Sequence, residues 1–84
     1  MRKDEIWSVS IQRVRAFFRT QADVTEESGN DFSFRSCRIG LGEPEPGGTG
    51  IWAARRTRIR MEGPPEDVEA IYRRFFMQFL SAGG

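Results

Sequence analysis

Two stretches of the chain alternate between apolar and polar residues, and a turn sequence separates them. Residues 13–25 and 31–42 fold back on each other about Ser28-Gly29-Asn30, whose Gly and Asn tolerate positive φ. Because successive strand side chains point to opposite faces, this register gathers one apolar set on a single face. The set is Val14, Ala16, Phe18, Thr20, Ala22, Val24, Cys37, Ile39 and Leu41. The pattern predicts an antiparallel hairpin with one buried face.

A third alternating stretch, residues 51–62, is expected to continue this sheet. Ile51, Ala53, Ile59 and Met61 join the buried side, and arginines take the opposite parity. Over the three stretches the predicted opposite face, here called the arginine face, holds Arg13, Arg15, Arg19, Arg38, Arg56, Arg58 and Arg60. The chain is therefore predicted to form a one-sided sheet with a cationic outer surface.

Residues 6–12 allow two interpretations. As a strand, Trp7, Val9 and Ile11 alternate, but in the opposite phase to the stretch that follows, so a bulge is required. As a helix, Trp7 and Ile11 begin a stripe of three- and four-residue steps that continues through Phe18. The strand is favoured because β-branched and aromatic residues are frequent here, but both interpretations stay open.

A C-terminal helix is the clearest single element. Residues 63–67, Gly-Pro-Pro-Glu-Asp, place proline in the first turn and acidic residues at the positive end of the helix dipole. Large apolar residues then recur at helical spacing: Val68, Ile71, Tyr72, Phe75, Phe76, Phe79 and Leu80. We expect an α+β fold in which an antiparallel meander of three or four strands has one face covered by this helix. The predicted order is β-β-β-α, with the other face open.

Length and composition are consistent with one domain over residues 1–84. Residues 43–50, rich in Gly and Pro, are predicted to be a flexible hairpin loop, and residues 81–84 a frayed tail. A chain of this length buries only roughly 60–65% of its unfolded surface, so a second subunit would add stability. No long apolar segment suggests a signal peptide or a membrane span, which predicts a cytoplasmic protein without a membrane partner.

The composition argues against an enzyme. The chain contains no His and a single Cys, which excludes intrachain disulfides, His-based acid/base chemistry and the commonest transition-metal ligand. The Gly-rich loop lacks the Lys-Ser/Thr ending of a phosphate-binding loop. We therefore expect no catalytic residues, no metal and no cofactor.

The leading functional hypothesis is binding of single-stranded nucleic acid on the arginine face. Arginine forks suit phosphates, and flat rings among them would stack on bases. The predicted contacts are Arg15, Arg19, Arg38, Arg56, Arg58 and Arg60 to phosphates and Phe17 and Trp52 to bases. The formal net charge of +1 does not by itself demand a polyanion.

The alternative hypothesis is a protein-interaction module, such as a small adaptor or an inhibitor of the phage or mobile-element type. It would dock its arginine face or its C-terminal helix on a partner, for example on an acidic protein surface. The helix has more large apolar residues than a small sheet buries, and the predicted surface for a partner or a homodimer is Tyr72, Phe76, Phe79 and Leu80.

Overall fold

Five antiparallel strands form one sheet, and two helices pack on one of its faces, in a computed structural model that describes residues 1–44 and 56–80. The elements are β1 (Arg2–Trp7), α1 (Ile11–Thr20), β2 (Val24–Ser28), β3 (Asp31–Phe34), β4 (Cys37–Gly42), β5 (Thr57–Glu62) and α2 (Pro65–Phe79). The strand order across the sheet is β1-β5-β4-β3-β2. The α+β class, the antiparallel sheet and the C-terminal helix are confirmed, whereas the β-β-β-α order and the three or four strands are wrong.

The main correction is α1, which occupies residues predicted to be the first strand. Ser10 caps this helix, since its Oγ accepts a hydrogen bond from the Arg13 backbone N–H at 3.4 Å. A helix buries Val14, Phe17 and Phe18 together, whereas a strand would send the two Phe rings to opposite faces. Phe17 is therefore in the core and not on the arginine face.

The predicted stretch 31–42 is two strands and not one. The turn at Ser28-Gly29-Asn30 forms where predicted, but a second turn at Arg35 and Ser36 separates β3 from β4, with Arg35 at φ 54°. This turn shifts the alternation, so that Phe32 and Phe34 lie on the same face as the residues of β4 that the pattern places inside. The covered face of β3, β4 and β5 is formed by Phe32, Phe34, Cys37, Ile39, Leu41, Thr57, Ile59 and Met61.

A single core joins this face to both helices. Phe18 of α1 stacks on Phe75 of α2 with ring centroids 6.1 Å apart, and Phe17 meets Phe79 edge-on at 5.6 Å. The Thr57 hydroxyl donates a hydrogen bond to the buried Val9 carbonyl at 2.6 Å. Within the described residues, every buried side-chain nitrogen and oxygen has a hydrogen-bond partner.

Gly63 sets the entry to α2. Its φ is 156°, and a Cβ at this position would lie 2.6 Å from the Ser36 carbonyl oxygen, so only glycine fits between β5 and the β3–β4 turn. The Asp67 carboxylate of α2 then accepts a hydrogen bond from the Ser36 backbone N–H at 3.2 Å. These contacts fix the start of α2 against the sheet.

Several predictions lie outside the described residues. These are residues 45–50 of the predicted loop, residues 51–55 of the third stretch with Trp52, and the tail at 81–84. In the part of the chain that is described, no helix has the length and apolar character needed to cross a membrane.

Candidate functional site

No element of residues 1–44 and 56–80 covers the face of the sheet opposite the helices, which is here called the uncovered face and is built mainly by alternate residues of β1, β5, β4 and β3. Three rows of paired residues cross it: Arg2-Glu62-Arg38-Ser33, Asp4-Arg60-Gly40-Asp31 and Ile6-Arg58-Gly42. Each row is fixed by the antiparallel register, which sets these side chains opposite one another on one face. The rows place arginines beside carboxylates, so the surface alternates in sign.

Asp4 contacts two arginines of this face. Arg58 donates two hydrogen bonds to it, from Nε at 2.9 Å and from a terminal nitrogen at 2.7 Å, in the bidentate geometry of an Arg–carboxylate pair. Arg60, on the same strand β5 as Arg58, is directly opposite Asp4, with its Nε 3.8 Å from an Asp4 carboxylate oxygen. The hydrogen bonds from Arg58 lower the pKa of Asp4, and this carboxylate is shared by two arginines.

Arg2 and Arg38 form a different arrangement around Glu62. Both are paired with Glu62 in the register, one from β1 and one from β4. Among residues 1–44 and 56–80, neither has a carboxylate oxygen within 4.0 Å of its side-chain nitrogens. These two guanidinium groups are available to a ligand.

Between these groups the uncovered face is concave. A hollow of about 710 Å³ is lined by arginines and carboxylates together: Arg2, Arg38, Arg60, Glu27, Asp31 and Glu62. Gly40 lies in the middle of the hollow and has no side chain to fill it. Glu27 is held at the rim, since its carboxylate accepts a hydrogen bond from the Ser33 hydroxyl at 2.8 Å. The surface can therefore contact groups of either sign.

The predicted site residues separate into two groups. Arg38, Arg58 and Arg60 lie on the uncovered face, and Arg56 is exposed just before β5. Arg15 and Arg19, on α1, instead contact the β2–β3 hairpin: Arg15 donates to the Gly29 carbonyl at 2.8 Å, and Arg19 pairs with Glu26 at 2.9 Å. They do not join the sheet arginines, because the residues that carry them are helical.

The predicted ring contacts are affected in the same way. Phe17 is 9% exposed and packs against Phe18 and Phe79, so its ring is not accessible for stacking on a base. Trp52 lies outside the described residues. The described part of the uncovered face presents Ile6 as its exposed large apolar residue, at 48%.

The prediction missed the contribution of β1 and of the carboxylates. Arg2 and Asp4 belong to a strand in which four of six residues are charged, so its apolar alternation is weak. The available signal is that Arg2, Asp4 and Ile6 share one parity and Lys3, Glu5 and Trp7 the other. The positions of Glu62 and Asp31 beside arginines follow from cross-strand register, which the sequence pattern does not provide.

The predicted partner surface on α2 is only partly exposed. Phe79 is 2% exposed and belongs to the core, whereas Phe76 and Leu80 are 36% and 52% exposed. Tyr72 is half-buried, and its hydroxyl donates a hydrogen bond to Glu5 at 2.8 Å. Burial, together with this bond and the charge of Glu5, raises the pKa of Tyr72 to about 12.

The described residues give little support for a reactive thiol or a metal site. The Cys37 thiol is buried, and burial raises its pKa, which disfavours the reactive thiolate. Across residues 1–44 and 56–80, no group of three or more Cys, Asp and Glu side chains is arranged to hold a metal ion. The uncovered face is thus the main candidate for function.

No protein-family model matches the chain, and neither the curated proteins nor the solved structures contain a significant match to it. The functional argument therefore depends on the geometry of the surface.

Proposed function

We propose that this chain is a non-enzymatic protein-interaction module that binds a partner protein on its uncovered face. The observation that supports this is the mixture of charges there. Arg2, Arg38, Arg58 and Arg60 are interspersed with as many carboxylates, from Asp4, Glu27, Asp31 and Glu62. The proposed partner presents both acidic and basic side chains in a complementary pattern.

The charge pattern favours a protein over a nucleic acid for a simple electrostatic reason. A nucleic acid presents phosphates of one sign, so each carboxylate of the face would repel it while each arginine attracted it. A protein surface can place a carboxylate opposite Arg38 and a basic group opposite Glu62, and such complementarity gives specificity. The same face then attracts one kind of partner and rejects uniformly charged ones.

A pair of neighbouring substitutions of opposite sign tests this proposal. Arg38→Gln and Glu62→Gln alter residues that are directly opposite each other on β4 and β5, and both side chains are exposed. A partner protein is first captured on the immobilised chain, must stay bound after nuclease treatment, and is then purified. Calorimetric titration measures its Kd for each variant. We expect both substitutions to weaken binding by roughly two- to fivefold, as for exposed charge pairs. Arg73→Gln, exposed on α2, is the matched control and should leave Kd unchanged.

The two variants also define what would contradict the proposal. If Glu62→Gln strengthens binding while Arg38→Gln weakens it, the partner presents a uniformly acidic surface and the proposed charge pattern is not recognised. If neither substitution changes Kd, the uncovered face is not the binding surface.

Binding of single-stranded nucleic acid is the second candidate, and one observation favours it. Arg2 and Arg38 point their guanidinium groups onto the uncovered face without a carboxylate oxygen within 4.0 Å in the described residues. Arg56 is a further exposed arginine, just before β5. Fluorescence anisotropy with a labelled oligonucleotide at increasing salt tests this candidate. It requires salt-sensitive binding that Glu62→Gln tightens and Arg38→Gln weakens.

A further inference from the structure

Strand β1 forms one edge of the sheet, and within residues 1–44 and 56–80 no strand pairs with its outer side. Met1 and Gly63 exchange two backbone hydrogen bonds, at 2.8 and 3.1 Å, next to the β1–β5 register. Along a strand of an antiparallel pair, the backbone N–H and C=O groups of successive residues point alternately toward and away from the partner strand. The groups of Lys3, Glu5 and Trp7 therefore point toward β5, as those of Met1 point toward Gly63. Arg2, Asp4 and Ile6 then direct their N–H and C=O groups away from the sheet. This edge can accept another strand.

The charges of β1 are complementary to those of a second copy. Arg2 and Lys3 form a basic half and Asp4 and Glu5 an acidic half. In an antiparallel copy of the same strand, Lys3 of each strand can lie opposite Glu5 of the other, whereas a parallel in-register copy would oppose like charges at every charged position. The opposite edge, β2, contains Glu26 and Glu27 and no basic residue of its own, so an antiparallel copy of β2 would bring no opposite charge to it.

We propose that β1 pairs antiparallel with β1 of a second copy, which joins the two sheets into one continuous sheet. In the register that sets Asp4 opposite the partner's Asp4, the outward-directed backbone groups of Arg2, Asp4 and Ile6 all form hydrogen bonds with the other copy. This register also places Lys3 opposite the partner's Glu5 on the helix side. The two Asp4 carboxylates tolerate this approach, because Arg58 contacts each of them at 2.7 Å.

Apolar side chains beside this edge support the same contact. Tyr72 of α2 reaches Glu5 of β1, and the Phe76 ring meets the Trp7 ring edge-on at 5.7 Å, so this side of α2 adjoins the β1 edge. Leu80 continues the same stripe four residues after Phe76, and both side chains are exposed. A second copy would cover them, which adds burial to a small chain. The proposed dimer does not depend on the proposed function of the uncovered face.

Substitutions at Ile6 test the strand pairing without disturbing the monomer. Ile6 is 48% exposed, and its N–H points away from β5. Ile6→Pro therefore removes no hydrogen bond to β5. It removes one hydrogen bond at each end of the β1–β1 pair, because Ile6 of each copy lies opposite Arg2 of the other. Ile6→Thr is the matched control, since it keeps the N–H and the β-branched shape. Sedimentation velocity at a series of concentrations should show a dimer for the wild type and Ile6→Thr. Ile6→Pro should weaken dimerisation about tenfold or more, because two hydrogen bonds are lost.

A charge exchange identifies the register. Lys3→Glu and Glu5→Lys each place like charges opposite one another, so each variant alone should sediment as a monomer. An equimolar mixture should form a heterodimer, because the opposite charges then face again. Circular dichroism confirms folding, and if Glu5→Lys does not fold, the Ile6 comparison decides the proposal. A wild type that sediments as one chain at every concentration, or an Ile6→Pro variant that dimerises like Ile6→Thr, overturns it.

Discussion

The two faces of the sheet come from the same strands but have opposite chemistry. In β4 and β5, Ile39, Leu41, Ile59 and Met61 face the helices with at most 7% exposure. The residues that alternate with them along the two strands lie on the uncovered face: Arg38, Gly40, Arg58 and Arg60. Since strand side chains alternate with period two, each strand contributes to the core and to the outer surface at once. Changes on one face should affect folding, and changes on the other should affect recognition.

The strongest way to test this division is to remove one ring from the core. Phe75 is fully buried and lies against five other rings, including Trp7 at 4.9 Å and Phe79 at 5.0 Å. Phe75→Ala should lower the free energy of unfolding by about 3–5 kcal/mol, because it loses this burial and leaves a cavity. Urea denaturation followed by circular dichroism measures the change.

The neighbouring ring is the matched control for this substitution. Phe76 is 36% exposed and contacts only the Trp7 and Tyr72 rings among the ring pairs of the described residues, so Phe76→Ala should cost less, about 1–2 kcal/mol in the monomer. If the two variants lost equal free energy of unfolding, burial in the core would not be what makes Phe75 important for stability.

How far the sequence predicts this division depends on the element. Helix α2 is predictable because its apolar residues recur over four turns and a proline pair marks its start. In α1, Val14 and Phe18 satisfy strand and helix periods alike. The helix forms because it also buries Phe17 against rings of α2. This contact belongs to the tertiary structure and is not visible in the local sequence pattern.

The candidate site shows the same limit. Arg38, Arg58 and Arg60 are placed by parity with apolar neighbours in their own strands, so local sequence is enough to locate them. Arg15 and Arg19 depend on the state of residues 13–25, and the error there moves both to α1. Of the carboxylates between the arginines, Asp4, Glu27 and Asp31 come from strands that hold none of these three arginines, and pairing between distant segments cannot be read from alternation.

A smaller effect is expected on the pKa values of groups on the two sides of β1, Tyr72 on the helix side and Asp4 on the uncovered side. On the helix side, burial first and then Glu5 raise the pKa of Tyr72 from 10.0 to about 12. Tyr72 is the only tyrosine of the chain, so its absorbance near 295 nm as a function of pH reports this group directly. Glu5→Gln should lower the pKa without restoring the ordinary value, because the burial remains.

The effect on stability has a defined direction. A raised folded-state pKa means that the contribution of neutral Tyr72 is complete below the unfolded pKa near 10.0 and is lost as the pH rises toward about 12. Wild type should therefore lose unfolding free energy over that alkaline range, and Tyr72→Phe should lose less of it. A Tyr72 that ionises near its ordinary value would contradict the contact with Glu5.

The smallest expected effect is on the uncovered side of the same strand. The hydrogen bonds from Arg58 lower the pKa of Asp4, so its stabilising contribution is present above the unfolded pKa of 3.8 and is lost as the pH falls through the folded value. Asp4→Asn should thus reduce the unfolding free energy slightly at neutral pH and not in strong acid, where both side chains are neutral. Urea denaturation at a series of pH values measures the difference. Because exposed ion pairs contribute little, a loss at neutral pH as large as that of Phe75→Ala would refute the assignment of stability to the covered face.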